Sequence, residues 1–299
     1  MTIAMLLSHH DGPTGSVLHT YPGARRRPAT RTQAGPAHVA DGASRPNGNW
    51  EKVINDPRRV DQPRAAGVVL AAGSGSRFGA EQSKVFLPLA GRRVFTWSLR
   101  SFASVRSIQR LILVIREIDR DLAEESLERE IDDDTHVEIV VGGDTRHDSE
   151  LAALRYLAPE IVDGSLNIVL LHDGARPIIA PGLVRKLIKK AAQTGAVIPG
   201  MVYHDIRPIS PDGTVRMLPP TRYVGAQTPQ VFNARAILSA YEQAARDQFV
   251  GTDTMSCYEH YHPGGGDWIP GDPRNLKITY PNDLFEAEKI LRETNFHLE

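Results

Sequence analysis

The chain has very little cysteine and no long apolar run, and each shortage excludes a class of protein. Its one cysteine, Cys257, excludes an intramolecular disulfide and a cysteine-rich zinc site, favours a reducing compartment and is expected to be a small buried hydrophobe. No apolar run approaches the ~20 residues that a membrane helix needs. The opening "MTIAMLL" is shorter than most signal-peptide cores and lacks a basic start. We therefore expect a soluble, cytoplasmic protein.

Neither sign of charge is in excess. The 299 residues include 35 Lys and Arg against 36 Asp and Glu, for a net charge of -1. Such a balance gives no field that would attract nucleic acid or an acidic membrane, so we expect neither as a partner. A hydrophobic content of 41% is sufficient for a core in one large domain or two small ones.

Residues 1–63 differ in composition from the rest. They are rich in Gly, Pro, Arg, Ser and His and show no apolar periodicity. Because such a segment buries too little surface to offset its chain entropy, we predict a disordered extension without chemistry. Its arginines with few acids resemble an organelle transit peptide; the alternative is a plain extension or an upstream start codon.

Residues 64–299 alternate apolar strands with amphipathic helices, which predicts one α/β domain with a mostly parallel sheet wound like a Rossmann fold. Three of the strands end in polar clusters, "AAGSGSR", "VGGDTRHDS" and "LHDGARP". Ligands of such sheets bind beyond the carboxyl ends of the strands. We expect the three clusters to meet in one crevice.

The first cluster belongs to "GVVLAAGSGSRFG", which matches neither a Walker loop nor the dinucleotide fingerprint. Its glycines would let backbone N–H groups approach phosphate oxygens, with Arg77 and Lys84 as cations within reach of a polyphosphate. The alternative is a tight turn with two solvated cations.

The other clusters add a carboxylate and a second lysine. Asp173 at a strand end favours a divalent cation, Mg²⁺, although a local ion pair with Arg176 is the alternative. Ser149 could be a helix N-cap. Lys277 lies in the apolar stretch "LKIT", expected to be a short strand, and either contributes to the site or points to solvent. Together these groups suit nucleotidyl transfer.

Several motifs in order resemble the 2-C-methyl-D-erythritol 4-phosphate cytidylyltransferase family. They are "LAAGSGSRFG" with "SKVFLPLAGRRVFTWSLRSF", then "VVGGDTRHDS", "LLHDGARP", "GAQTPQVF", "TDTMS" and "NLKITYPNDL", between Gly67 and Leu291. The resemblance implies a GT-A-type nucleotidyltransferase domain that transfers CMP from CTP to a phosphorylated polyol, with Mg²⁺ and pyrophosphate release. It also implies a homodimer with a projecting β-arm at about residues 200–227.

The resemblance assigns roles residue by residue. It implies catalytic roles for Arg77, Lys84 and Lys277. It implies nucleotide contacts for Ala71, Ala72, Gly73, Gly75, Gly143, Asp144 and Ser149. It places the acceptor near Asp173, Arg176, Asp205, Arg222, Thr228 and Thr252, with Asp173 also at the metal.

Departures from the family pattern concern the acceptor. Ile206 stands where a threonine is usual, Pro220 where an arginine is usual with Arg222 two residues later, and Ser83 where a proline is usual. A lost hydrogen bond costs ~1 to 3 kcal/mol, enough to change acceptor preference. Methylerythritol phosphate is the first expectation, with ribitol 5-phosphate or a phosphonate as alternatives.

Two other classes of protein remain as alternatives. A non-catalytic, nucleotide-binding paralogue would explain the departures but not the retained cations. An NAD-dependent enzyme would need an acidic residue about twenty positions past the loop, and "GRRVFTWSLRSF" has none. His260 and His262 are expected to be loop residues without a third metal ligand, and His172 to point into the fold.

Overall fold

The computed structural model describes residues 62–73, 83–204, 206–207, 209–215 and 223–294. Four of the predicted site residues, Gly75, Arg77, Asp205 and Arg222, lie outside these ranges, as do residues 1–61 of the expected N-terminal extension. The chain divides into two units, one of Asp61–Tyr203 with Arg222–Glu299 and one of Met1–Val60 with His204–Thr221. The larger unit contains the sheet.

The sheet is eight-stranded and mostly parallel. Its strands are β1 (Ala65–Leu70), β4 (Ile108–Ile115), β5 (Val137–Val141), β6 (Ile168–Asp173), β7 (Ala196–Tyr203), β8 (Tyr223–Ala226), β9 (Gln230–Asn233) and β10 (Asp267–Pro270), and a small hairpin pairs β2 (Pro88–Leu89) with β3 (Arg92–Arg93). The order is β10-β7-β9-β6-β1-β4-β5, with β8 also paired to β7. Only β8 and β9 run antiparallel to their neighbours. The fold prediction is therefore confirmed.

Eight α-helices among the described residues connect and cover these strands. They are α1 (Val94–Ala103), α2 (Arg120–Glu130), α3 (Arg146–Tyr156), α4 (Ala158–Asp163), α5 (Pro181–Thr194), α6 (Ala234–Asp247), α7 (Thr254–Tyr261) and α8 (Pro281–Glu293). None of the described helices is long and apolar enough to cross a membrane.

The central strands are buried on both faces because helices cover both sides of the sheet. In β1, Ala65 and Val69 belong to one core cluster, while Ala66 and Val68 belong to a second cluster on the opposite face. Every residue of β6 is buried. This explains why these strands read as continuous apolar runs rather than as alternating ones. Cys257 is fully buried in the second cluster, as expected.

One predicted strand is wrong. The stretch "LKIT" forms no strand in the structure; it is an extended connection before α8 in which Ile278 donates its N–H to the carbonyl oxygen of Ala175, 2.8 Å away. Its apolar residues Leu276 and Ile278 pack in a small cluster with α8 rather than in the sheet. A short apolar run of this kind therefore indicates that the segment is buried, but it does not establish that the segment pairs as a β-strand.

The base of the expected arm is an antiparallel ladder in which Gly200 pairs with Ala226 and Tyr203 with Tyr223. In the smaller unit, Ile209 and Val215 form an isolated antiparallel bridge around a turn, with Ser210 donating its N–H to the carbonyl oxygen of Thr214 at 2.9 Å. The domain boundaries and the arm at 200–227 stay predictions.

Gly67 on β1 tests how tightly α1 packs on the sheet. A Cβ added there would lie 2.5 Å from Cδ2 of Phe102, whose ring is fully buried. Either this ring or the backbone of β1 would have to shift to accommodate it. We expect Gly67→Ala to destabilise the protein by ~1 to 3 kcal/mol. Gly264 is the matched control, because a Cβ there meets nothing within 4 Å. Urea unfolding measures both variants, and equal midpoints would contradict close packing at Gly67.

Candidate active site

A cleft of about 770 Å³ lies at the carboxyl ends of β1, β5 and β6. Its lining includes Ala72 and Gly73 after β1, Gly143 and Arg146 after β5, and Asp173 at the end of β6. Lys84 and Lys277 also line it. The described residues of the three polar clusters thus meet in one crevice, as the sequence predicts, because parallel strands deliver their carboxyl ends to one edge.

The loop after β5 is glycine-rich because the start of α3 approaches it closely. A Cβ added to Gly143 would lie 2.3 Å from the Cβ of Asp148, and one added to Gly142 would lie 2.6 Å from the Oγ of Ser149. Neither position has room for a side chain. The exposed backbone of this loop therefore borders the cleft without side chains in the way.

The helix α3 begins with a capping box, and the predicted N-cap is wrong. Thr145, not Ser149, is the N-cap: its hydroxyl accepts from the N–H of Asp148 at 3.1 Å, and the Asp148 carboxylate accepts from the N–H of Thr145 at 3.2 Å. Ser149 lies in the first turn and donates its hydroxyl to the carbonyl oxygen of Gly143 at 3.3 Å. Asp144 is exposed at the cleft.

Asp173 is surrounded by cations. Its carboxylate accepts from Nζ of Lys277 at 2.8 Å and from the guanidinium of Arg146, and Nε of Arg176 lies 3.8 Å away. Burial alone would raise the pKa of Asp173, but the charges of Arg146 and Lys277 outweigh it and hold this pKa well below its ordinary value. Asp173 therefore remains a carboxylate in this cleft at any physiological pH.

Arg176 is a more distant partner of Asp173 than Arg146 or Lys277. The separation of 3.8 Å is too long for a hydrogen bond, and Arg176 instead donates from Nη1 to the carbonyl oxygen of Asn275 at 2.8 Å. Burial lowers the pKa of Arg176. The main partners of Asp173 are thus Arg146 and Lys277 rather than its neighbour in the turn.

Arg146 is a site residue that sequence reasoning missed. It lines the cleft, contacts Asp173, and donates from Nε to Glu150 at 3.0 Å. Burial alone would lower its pKa, but Asp173 and Glu150 raise it above its ordinary value, so the guanidinium stays charged. The signal available in the sequence was the spacing of Arg146 and Glu150, four residues apart at a helix start. That signal is common and points to no particular site.

His172 supports Asp173 from inside the fold. It is fully buried, as expected, and its Nε2 lies 3.0 Å from the carbonyl oxygen of Arg176, which can only accept, so Nε2 carries the proton. Nδ1 then accepts from the hydroxyl of Thr228 at 3.0 Å, and the same oxygen accepts from the N–H of Asp173 at 3.0 Å. This series of hydrogen bonds fixes the backbone at Asp173.

Two amide side chains connect the segment that carries Lys277 to the residues between β8 and β9. Asn275 is fully buried and donates from Nδ2 to the carbonyl oxygen of Thr228 at 2.8 Å. Gln227 donates to the carbonyl oxygen of Asp272 at 2.8 Å and accepts from its N–H at 3.1 Å. An extended connection, rather than a strand, therefore brings Lys277 to Asp173.

The remaining predicted residues are placed as follows. Ala71 is buried and donates its N–H to the carbonyl oxygen of Val114 at 2.7 Å, and Lys84 begins a short 3₁₀ helix, Lys84–Phe86, beside a buried Ser83 that donates to the carbonyl oxygen of Gly73 at 2.8 Å. Thr252 is exposed, bonds Ser256 at 3.2 Å, and is absent from the cleft lining.

Three carboxylate side chains line this cleft, Glu117, Asp144 and Asp173, and of these Asp173 is buried at the end of β6. No group of three or more His, Cys, Asp or Glu side chains that could hold a metal occurs in the described part of the chain. Mg²⁺ is commonly held by one or two carboxylates together with phosphate oxygens. The donor set therefore fits a cation that shares Asp173 with substrate phosphates and does not fit a cage built by the protein alone.

A mostly parallel sheet with a glycine-rich cleft, two lysines and a carboxylate at its ligand edge defines a nucleotidyltransferase. Residues 65–293 match the family model described as 2-C-methyl-D-erythritol 4-phosphate cytidylyltransferase. The chain belongs to that family, which confirms the resemblance noted in the sequence.

Individual relatives agree with the family model. The chain is 32% identical over 225 residues to the 2-C-methyl-D-erythritol 4-phosphate cytidylyltransferase of Clostridioides difficile, covering 75% of this chain and 92% of the relative. It is 33% identical over 242 residues to that of Solibacter usitatus, covering 77% and 96%. A solved 4-diphosphocytidyl-2C-methyl-D-erythritol synthase of Anaerococcus prevotii is similar with a TM-score of 0.65 and 28% identity, covering 77% and 96%.

His172 predicts a pH dependence of stability. Burial lowers the pKa of His172 to about 4, below the ordinary value of 6.5. Between pH 6.5 and 4, His172 is therefore protonated in the unfolded chain but neutral in the folded protein. Stability should fall as pH drops through this window, by on the order of 2 to 3 kcal/mol from this residue. Urea unfolding at pH 7.5, 6 and 5 measures the free energy of unfolding of the wild-type protein and of His172→Gln. We expect the difference between the two free energies to shrink as the pH falls. A constant difference would contradict the assignment.

Proposed function

We propose that the protein transfers CMP from CTP to 2-C-methyl-D-erythritol 4-phosphate and releases pyrophosphate. The observation that carries the proposal is the pairing of Lys277 with Asp173 at 2.8 Å on the wall of the glycine-rich cleft that Lys84 also lines. A binding-only protein has no need of cations gathered where a leaving group departs. The names of the similar proteins support the acceptor.

In this proposal the nucleotide lies along the loops after β1 and β5. Ala71, Ala72, Gly73 and Gly75 would contact the cytidine and phosphates, and Gly143, Asp144 and Ser149 the cytosine and ribose. Exposed loop backbone at Gly73 and Gly143 is suited to phosphate and base contacts because no side chain obstructs it. Arg77 and Lys84 would hold the triphosphate.

The chemistry is an in-line displacement at the α-phosphorus. An oxygen of the acceptor phosphate forms a bond to that phosphorus while the bond to the bridging oxygen of pyrophosphate breaks. A phosphate oxygen is already anionic near neutral pH, so the step needs no general base. The chain's own contribution is position and charge: Lys277 would neutralise charge on the phosphorus oxygens, and Lys84 charge on the leaving group.

Asp173 remains a carboxylate throughout, since its neighbouring cations hold its pKa low. It is therefore suited to orient Lys277 and to meet a cation brought by the triphosphate, not to donate a proton. Mg²⁺, when bound, would supply positive charge between the phosphates, with Asp173 as the protein ligand.

The acceptor site is proposed around Asp173, Arg176, Thr228 and Thr252, with Asp205 and Arg222 from the arm. Because Ile206 and Pro220 depart from the family pattern, ribitol 5-phosphate and a phosphonate remain alternative acceptors. We further propose a homodimer, in which each arm completes the partner's acceptor site, and a cytoplasmic location.

Lys277 has a matched control in Lys289, which is 62% exposed on α8 and lies 3.9 Å from Glu293. We expect Lys277→Ala to lower kcat about 100-fold or more, because charge neutralisation at the reacting phosphate is lost. Lys289→Ala should leave kcat unchanged. Pyrophosphate release from CTP and Mg²⁺ measures both, and an active Lys277→Ala would refute the assigned role.

The acceptor is identified by running that assay in parallel with methylerythritol 4-phosphate, ribitol 5-phosphate and a small phosphonate. We expect the highest kcat/KM with the first, because the similar proteins are named for that acceptor. Faster turnover of either alternative would make Ile206 and Pro220 specificity changes. CTP binding without turnover of any acceptor would instead favour a non-catalytic protein.

A further inference from the structure

Glu150 is a buried carboxylate directly behind the cleft. It is 1% exposed and does not line the cleft itself. Its Oε1 accepts from the hydroxyl of Thr254 at 2.5 Å and from Nε of Arg146 at 3.0 Å, and its Oε2 accepts from the hydroxyl of Tyr241 at 2.5 Å. Two hydroxyls from α6 and α7 thus fix a negative charge in the core, where an unpaired charge would be costly.

The donors around Glu150 are held in their donating state. Burial, and after it the negative charge of Glu150, raise the pKa of Tyr241 well above its ordinary value, so its hydroxyl keeps the proton. The imidazole of His147 stacks on the Tyr241 ring with centroids 4.5 Å apart, which limits the movement of that ring. The carboxylate of Glu150 is therefore fixed in place before any ligand binds.

Arg146 is shared between two carboxylates through different nitrogens. Nε donates to Glu150, and Nη1 donates to Asp173, whose other oxygen receives Lys277 at 2.8 Å. The four groups form a row of alternating charge from the core to the cleft: Glu150, Arg146, Asp173, Lys277. Charge-assisted hydrogen bonds are roughly twice as strong as neutral ones, so Glu150 competes effectively for Arg146.

We propose that Glu150 is a positioning residue for the transfer reaction, acting on Lys277 through Arg146 and Asp173. By holding Nε of Arg146, Glu150 limits Arg146 to one oxygen of Asp173 and leaves the other for Lys277. Without the charge of Glu150, Arg146 would pair with both oxygens of Asp173 and displace Lys277 from its place. This inference rests on the function proposed above.

The test substitutes Glu150→Gln, which keeps the size and an accepting oxygen but removes the charge. Glu242→Gln is the matched control: Glu242 accepts from Arg155 on α3 at 2.7 and 3.0 Å but lies away from the cleft. Tyr241→Phe removes one buried hydrogen bond of Glu150 and leaves its charge. Pyrophosphate release with methylerythritol 4-phosphate is expressed per CTP-binding site counted by calorimetry, which removes the effect of misfolded protein, and thermal unfolding is recorded for each variant.

We expect Glu150→Gln to lower kcat per CTP site about tenfold or more, with the Kd for CTP within about threefold of the unchanged protein, because small displacements of a positioned group are expensive in rate. We expect Tyr241→Phe to lower the stability of the protein but to lower kcat by less than about threefold. Glu242→Gln should change neither the stability nor kcat.

Three results would overturn the role of Glu150. They are an unchanged kcat in Glu150→Gln, an equal loss in Tyr241→Phe that follows the loss of stability, or a weakening of CTP binding as large as the loss in rate. An unchanged protein that binds CTP but releases no pyrophosphate with any of the three acceptors would refute the proposed function itself. Each failure is therefore recognised separately.

Discussion

The arrangement of the cleft depends on one buried carboxylate that must remain ionised. Asp173 is the last residue of β6, and its charge would be costly to bury without a partner. Arg146 and Lys277 contact its carboxylate directly, and Arg176 lies nearby. Each cation comes from a different part of the chain, so the ion pairs also tie the loop after β5, the turn after β6 and the segment before α8 together. The charges that would stabilise a triphosphate are thus held in place before it binds.

The supports of Asp173 are of two kinds. The backbone N–H of Asp173 donates to the hydroxyl of Thr228, which in turn donates to Nδ1 of His172. The row of charges running back to Glu150 fixes the side chains around Asp173. Neither set needs a regular strand at the end of the chain. Lys277 reaches the site on an extended connection whose geometry is held by the buried amides Asn275 and Gln227. Preorganisation here is a property of loops anchored by buried polar groups.

Membership of the family is consistent with this chemistry and sharpens the question of the acceptor. Gly73, Lys84, Gly143 and Ser149, the residues proposed to contact the nucleotide, border one cleft. The departures, Ile206 and Pro220, fall in the segment predicted to form the arm, between the paired strands β7 and β8.

The sequence by itself determined the sheet, its buried strands and the meeting of three strand ends in one crevice, since apolar strands with intervening helices allow little but a parallel sheet whose ligand edge collects the strand ends. It also singled out Asp173 and Lys277, and both line the cleft. The cap of α3 at Thr145 is a local pairing with Asp148, three residues on, and was present in the sequence. What only the tertiary structure decided was that Arg146 and Lys277 lie closer to Asp173 than Arg176 does, that "LKIT" is no strand, and that Glu150 lies behind the cleft. These facts depend on contacts between residues distant in the chain, and on the competition among several cations for one carboxylate, which no local pattern encodes.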